Sequence, residues 1–259
     1  MNTLISILLA IMSNVYTDNT TREIVRQILL SYDHFEELKA GDLAKNSFCN
    51  TSTINRFCKT IGFRSFTDLK AHMVSSHEVR KAQLHHHMEI TAEDNVLNRI
   101  ELLTDNRFDK KKFIREADIF NEIIQKSSRV VLIGAVFPEA MTLHYQEDMI
   151  EMGKCVYTTP IAKELIFPVE DPDAAIILIS FTGRLFSYCK NTFHEILEKY
   201  PNTIVMTGNQ FNDSDINPNF FRLPFQGDDE GNNTVFIEIM RYLKWHYYEN
   251  YVKDKETLQ

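Results

Sequence analysis

The sequence predicts an α plus α/β protein: an all-helical N-terminal domain followed by a doubly wound parallel-sheet domain. Two patterns carry this expectation. Up to about residue 75, apolar side chains recur at helical spacing. Beyond Asp109, short apolar runs alternate with helix-length segments. One of these runs, Ala174-Ala175-Ile176-Ile177-Leu178-Ile179, is continuous, as in a strand buried on both faces. With 259 residues, 44% hydrophobic and 25% charged, the chain can bury two modest cores. The expected boundaries are 1–75 for the helical domain, 76–108 for a connecting helix or partly ordered linker, and 109–255 for the α/β domain.

In the first helix, Leu4, Ile7, Leu8 and Ile11 share a face. The apolar run from Met1 to Met12 is too short to span a bilayer and lacks a basic start, so neither a membrane partner nor a signal peptide is expected. Thr17 or Asp18 caps a second helix carrying Ile24, Val25, Ile28 and Leu29, and Ser31 to Phe35 reads as a loop. The most informative stretch runs from Asp42 to Lys70. Asn50 is a good N-cap for a helix from Thr51 to about Ile61, and Gly62 supplies a left-handed stop. Ile54, Phe57, Cys58 and Ile61 make its buried stripe. Its opposite face shows Thr51, Ser52, Asn55, Arg56 and Lys59, short polar and basic groups suited to a DNA major groove.

The net charge of −8 by itself opposes nucleic-acid binding, but its distribution does not. Residues 1–75 hold 8 Lys and Arg against 7 Asp and Glu, leaving 20 against 29 in the remainder. Within 46–75 the ratio is 4 to 1, so a basic helix sits on an acidic body.

This segment resembles the helix-turn-helix of the RpiR family of bacterial transcription regulators. The likeness rests on Asp42-Leu43-Ala44, Thr53-Ile54, Arg56-Phe57-Cys58-Lys59, Ile61-Gly62-Phe63, Phe66 and Leu69-Lys70. It implies a double-stranded DNA operator as partner, met by Thr51, Ser52, Thr53, Asn55, Arg56 and Lys59, with Arg64 gripping the backbone from the next turn.

Residues 75–105 show a weaker pattern that ends with Val96, Leu97, Ile100 and Leu103 at helical spacing. The run His85-His86-His87 cannot turn three adjacent rings toward one metal, because neighbours diverge around a helix axis. Cys49, Cys58, Cys155 and Cys189 form no CxxC pair and no zinc spacing, so free, mostly buried thiols in a reducing cytoplasm are expected, with no metal and no cofactor. The second domain then reads as helix 112–126, strand 130–133 ending at Gly134, helix 139–152, a strand around 155–157, strand 174–179, helix 186–199, strand 203–206 and helix 233–251. The last helix carries Phe236, Tyr242, Trp245, Tyr247, Tyr248 and Tyr251, more aromatic surface than one face of a small domain buries, so part of it is expected at a dimer contact.

From Arg129 to Gln210 the chain resembles the SIS (sugar isomerase) domain that follows the helix-turn-helix in such regulators. Gly134, Met152-Gly153-Lys154 and Ile179-Ser180-Phe181-Thr182-Gly183-Arg184 carry the likeness. It implies a homodimer or higher homo-oligomer, and a phosphosugar or related metabolite held at Gly134, Ser180, Thr182 and Gly183. The first loop departs from the family pattern: Val136 stands at a glycine position and Pro138 at a serine position, which removes a hydroxyl and a backbone donor. Glu139 adds a negative charge, and Leu185 replaces a threonine in the second loop.

The expectation is a cytoplasmic, sequence-specific regulator of carbohydrate metabolism and not an enzyme. Two alternatives remain: an SIS domain that is only a dimerisation scaffold, and, more remotely, a sugar-phosphate isomerase. Glu139, His144 and Glu147 are its candidate acid–base groups but form no recognisable constellation, and His144 with Glu147 or Asp148 reads as a surface group. A dehydrogenase fares worse, since Gly134 opens no GxGxxG run.

Overall fold

The computed structural model describes residues 3–104, 108–159, 171–208, 219–225 and 230–253. The first part is all helix: α1 (Thr3–Ser13), α2 (Asn19–Leu30), a 3-10 turn (Tyr32–His34), α3 (Ala40–Asn46), α4 (Thr51–Thr60) and α5 (Phe66–Glu89). α6 (Glu93–Leu103) and α7 (Lys110–Lys126) lead into the second part. There β1 (Val130–Gly134), α8 (Val136–Met141), α9 (Leu143–Glu151), β2 (Val156–Thr158), β3 (Ala175–Ile179), α10 (Arg184–Tyr188), α11 (Lys190–Lys199), β4 (Thr203–Thr207), β5 (Asn219–Arg222) and α12 (Gly231–Tyr251) follow.

Side-chain caps fix the starts of four helices. Asp18, Asn50, Ser65 and Asp109 each accept a backbone N–H three residues on, opening α2, α4, α5 and α7. The first helix buries a face turned from the expected one. Leu4, Ile5, Leu8, Leu9 and Met12 are buried, whereas Ile7 is exposed and Ile11 half-buried. The cause is that α1 is covered on two sides, by α2 and by β2 and α9 of the second domain.

The sheet is wholly parallel, in the order β2-β1-β3-β4-β5. β1, β3 and β4 are buried at every position, which is why they read as continuous apolar runs. Two expected helices are each broken in two. Thr142 separates α8 from α9, and Cys189 (φ −115°, ψ 38°) separates α10 from α11. The edge strand β5 was not anticipated, because only Phe221 of its four residues is buried.

Of the α12 aromatics expected to supply a dimer contact, Trp245 and Tyr251 are half-buried. Phe236, Tyr242, Tyr247 and Tyr248 are buried within the same chain, with Tyr242 donating to Glu93 Oε1 at 2.9 Å. The helix packs against α6, α7 and α9, so three neighbours share its surface.

α5 joins the two halves. Phe66, Leu69 and Met73 pack into the N-terminal core, and Leu84 and Met88 pack near Tyr248 of α12. Between them His77 and Arg80 continue the same three- and four-residue spacing as polar members of one stripe. Their partners lie on α9. His77 Nδ1 meets Glu151 Oε2 at 2.8 Å, and Arg80 donates to Asp148 Oδ1 at 2.5 Å. Tyr32 also donates to Glu151 (3.1 Å), and Ser6 donates to Glu147. Glu147 and Asp148 are therefore buried, contrary to their expected surface placement, and Glu151 is buried with them, because the helical domain covers this face of α9. Lys244 of α12 donates to the second oxygen of Asp148. Burial opposes the charge on Asp148, but the hydrogen bonds and charges of His144 and Lys244 outweigh it and hold the carboxyl below the usual range.

Candidate DNA-reading helix and strand-end loops

α3 and α4 meet through Leu43, Ala44, Ile54, Phe57 and Cys58, all buried, so α4 is pinned by its apolar stripe. Its outer face presents Thr51, Ser52, Asn55, Arg56 and Lys59 to solvent, with Thr53 half-buried. Not every polar group on this face is unengaged. Ser52 and Thr53 donate their hydroxyls to Asn50 Oδ1 (2.5 and 3.0 Å), reinforcing the cap. Asn55 Oδ1 accepts the Phe66 N–H at 3.3 Å and ties α4 to the start of α5. Arg64 lies one turn beyond, its backbone N–H and its Nε both directed at Asp68 Oδ2 (2.9 and 3.5 Å). Asp68 is thus a member of this surface that sequence reading missed, although its place four residues after Arg64 was a usable signal.

Both turns of the motif close as Schellman caps. At the end of α4, Gly62 (φ +97°) and Phe63 donate to Lys59 and Cys58 carbonyls. At the end of α3 the same two bonds run from Phe48 to Lys45 and from Cys49 to Ala44. Here Phe48 takes the left-handed position (φ +52°) and its ring is 91% exposed beside the reading helix. No local pattern in the sequence marks it.

In the second domain, strand order reverses between β1 and β3, and the carboxyl ends of those strands form the crevice where ligands of open α/β sheets settle. Gly134 pairs in register with Ile179, so the loops bearing Gly134 and Ser180 are neighbours there. A Cβ on Gly134 would stand 2.9 Å from the Ile179 carbonyl oxygen, which excludes larger residues. Ser180 is buried, with the Leu185 N–H directed at its Oγ over 3.4 Å, and Gly183 turns the chain at φ +72°. Thr182 Oγ1 accepts from Arg184 Nε (3.1 Å).

The first loop is occupied by the chain itself. Pro138 lies in the first turn of α8, where its missing N–H has no intrahelical partner to lose. Glu139, one residue on, folds back so that its Oε1 accepts the Gly134 N–H at 2.7 Å. Its carboxylate is buried, and burial pushes it up to about 7 against the opposing effect of that hydrogen bond. Val136 and Phe137 beside it are exposed. Of the candidate acid–base groups, His144 is exposed and tied to Asp148 (3.0 Å), and Glu147 is turned toward α1. The three are not gathered around one point.

The histidine run diverges as expected. His85 meets the Tyr248 hydroxyl at 2.7 Å, while His86 and His87 are exposed. The four cysteines are free, but only Cys58 is buried outright; the other three are half-buried. Among the described residues no helix is long and apolar enough to cross a membrane.

A two-helix reading motif with a polar outer face, pinned by an apolar stripe and joined to an α/β body, defines the class of helix-turn-helix proteins. Residues 7–78 match the family model of the helix-turn-helix domain, rpiR family. No curated protein matches the chain. Among solved structures, the chain is similar to the Vibrio vulnificus NanR protein complexed with ManNAc-6P, at 13% identity and a TM-score of 0.43, covering 99% of this chain and 95% of that one. It is also similar to the hypothetical protein MJ1247 from Methanococcus jannaschii, for which a 3-hexulose-6-phosphate isomerase function was inferred. There the identity is 15% and the TM-score 0.47, over 60% of this chain and 88% of that one.

Proposed function

We propose that the chain is a cytoplasmic, sequence-specific DNA-binding transcription regulator of carbohydrate metabolism, whose α/β domain forms the dimer and senses a small metabolite. The observation that carries the reading is the outer face of α4, where Arg56 and Lys59 are exposed on a helix held rigidly from behind. In this reading Arg56 and Lys59 contact base edges or phosphates, and Thr51 positions the helix start. The amide nitrogen of Asn55 remains available after its oxygen is committed to Phe66. Ser52 and Thr53 act through the Asn50 cap, and Arg64 grips phosphate beside Asp68. Two copies would place two reading helices on a two-fold symmetric operator.

The metabolite site of this reading is the β1–β3 crevice, with Gly134, Ser180, Thr182 and Gly183 around it, and its expected occupant is a sugar phosphate or a related compound. The bond from Gly134 to Glu139 favours a second reading for this domain alone, that it is a dimerisation scaffold whose anion loop is already filled. The scattered positions of Glu139, His144 and Glu147 speak for a regulator over an isomerase.

Selection of genomic fragments by the purified protein, followed by footprinting, tests the proposal. A protected, two-fold symmetric site that is lost with Arg56→Ala is the expected result. Capture of unrelated fragments through salt-sensitive contacts alone, unchanged by that substitution, would sink it.

A further inference from the structure

Among the described residues, Phe48 alone holds a positive φ (+52°) without being glycine. The other left-handed positions there are Gly62, Gly153 and Gly183. A side chain at such a position crowds its own backbone, which glycine avoids. The fold recovers almost none of that cost by packing, because the ring is 91% exposed. Strain that packing does not repay is a mark of sites shaped for binding rather than for stability.

The ring is nonetheless held in place. Ser47 before it is buried and Cys49 after it is half-buried. The N–H groups of Phe48 and Cys49 donate to the Lys45 and Ala44 carbonyls at 3.2 and 2.9 Å. Asn50, the cap of α4, follows two residues on, which puts the two Cα atoms within about 7 Å of each other. In helix-turn-helix docking the first helix crosses the backbone and the second presents its amino-terminal residues to base edges. The turn between α3 and α4 therefore sits beside the end of the reading helix that enters the groove. Between residues 43 and 67 there is no Asp or Glu, so no carboxylate of this segment meets the phosphates that flank such a contact.

We propose that Phe48 reads DNA: its ring packs against the C5-methyl group of a thymine in the major groove, at the base pair nearest the start of α4. That methyl is the apolar group among the major-groove base edges, and a phenyl ring is a fitting partner for it. The first turn of α4 leaves room for such a contribution, since the Ser52 and Thr53 hydroxyls are given to Asn50 Oδ1 (2.5 and 3.0 Å). The inference rests on the regulator reading and adds to it an apolar base contact from outside α4.

An operator recovered with the wild-type, full-length protein is resynthesised with deoxyuridine in place of each thymidine in turn. Each exchange deletes one methyl and keeps the base pairing. Anisotropy titrations then compare wild type, Phe48→Leu and Phe48→Gly. At one thymine in each half-site the exchange is expected to weaken wild-type binding about three- to fivefold, as for one buried methyl. Phe48→Gly should bind the unmodified operator more weakly by at least that factor and be indifferent to the exchange. It should melt no lower than wild type, so that unfolding does not account for the loss. Phe48→Leu keeps the strained backbone and part of the contact, and should show a reduced response to the same exchange. The inference is overturned if Phe48→Gly binds like wild type, if both variants keep the full wild-type response to every exchange, or if the half-site holds no thymine. Binding that depends on Arg56 but not on Phe48 defeats this contact alone. Absence of any protected site defeats the regulator reading and this contact with it.

Discussion

Asp148 receives Arg80 on one carboxylate oxygen and Lys244 on the other, so a single buried acid joins the reading-motif helix α5 to the last helix of the α/β domain. Removing it leaves two cationic groups with their common partner gone, and an unpaired buried charge is far costlier than a missing contact. Asp148→Ala is expected to destabilise the protein by about 3–5 kcal/mol in chemical denaturation. A loss under about 1 kcal/mol would mean that solvent reaches the pair and screens it.

Arg56 stands on the exposed face of α4, and its substitution touches no core contact. Arg56→Ala should weaken specific DNA binding by about 1–3 kcal/mol while leaving Tm unchanged. A gel-shift titration against the selected operator measures the affinity, and undiminished binding would take Arg56 off the contact surface. Lys59→Ala should instead shallow the salt dependence if Lys59 meets phosphate.

Phe48 holds a left-handed backbone position in a Schellman cap, while the equivalent places after α4 and α9 are Gly62 and Gly153. Phe48→Gly removes Cβ strain and little packing, since the ring is almost wholly exposed. The variant should gain about 1 kcal/mol in urea denaturation despite the added chain entropy of glycine. A loss of stability would show that the ring is held in a contact.

Glu139 titrates upward in the folded state, to about 7, so folding takes up a proton there. A raised carboxyl binds more protons folded than unfolded between its ordinary value and 7, and stability must fall as pH rises through that window. Glu139→Gln keeps an acceptor for the Gly134 N–H and abolishes the titration. It should be more stable than wild type by about 2 kcal/mol at pH 8 and no more stable at pH 4. Parallel stability–pH curves for the two proteins would contradict this. In the same variant, new binding of a sugar phosphate at the strand ends would favour the sensor reading, in which the carboxylate had excluded it.

Much of this architecture was legible in the sequence, for reasons tied to particular residues. Asn50 and Gly62 bracket α4 with a cap and a left-handed stop, both local effects. The runs at 130–134, 175–179 and 203–207 are buried on both faces, and burial on both faces leaves a continuous apolar signature. What escaped reading depends on distant partners. The pattern weakens beyond residue 75 because His77 and Arg80 fill the middle positions of the stripe through Phe66, Leu69, Met73, Leu84 and Met88, and only α9 explains why polar groups belong there. For the same reason Glu147 and Asp148 read as surface groups. At the candidate site, the altered loop residues could be read, but the return of Glu139 onto Gly134 could not, since it depends on how α8 starts directly after β1.

α5 runs without a break from the N-terminal core to α9 and Tyr248 of the α/β domain. From Phe66, bonded to the reading helix, to Arg80, bonded to α9, is about 20 Å of uninterrupted helix. Such a rod acts as a lever, and a tilt of about 10° about its α9 end would carry Phe66, and α4 with it, by roughly 3–4 Å. A small displacement of α9 would therefore be enlarged at the outer face of α4, several turns of helix away.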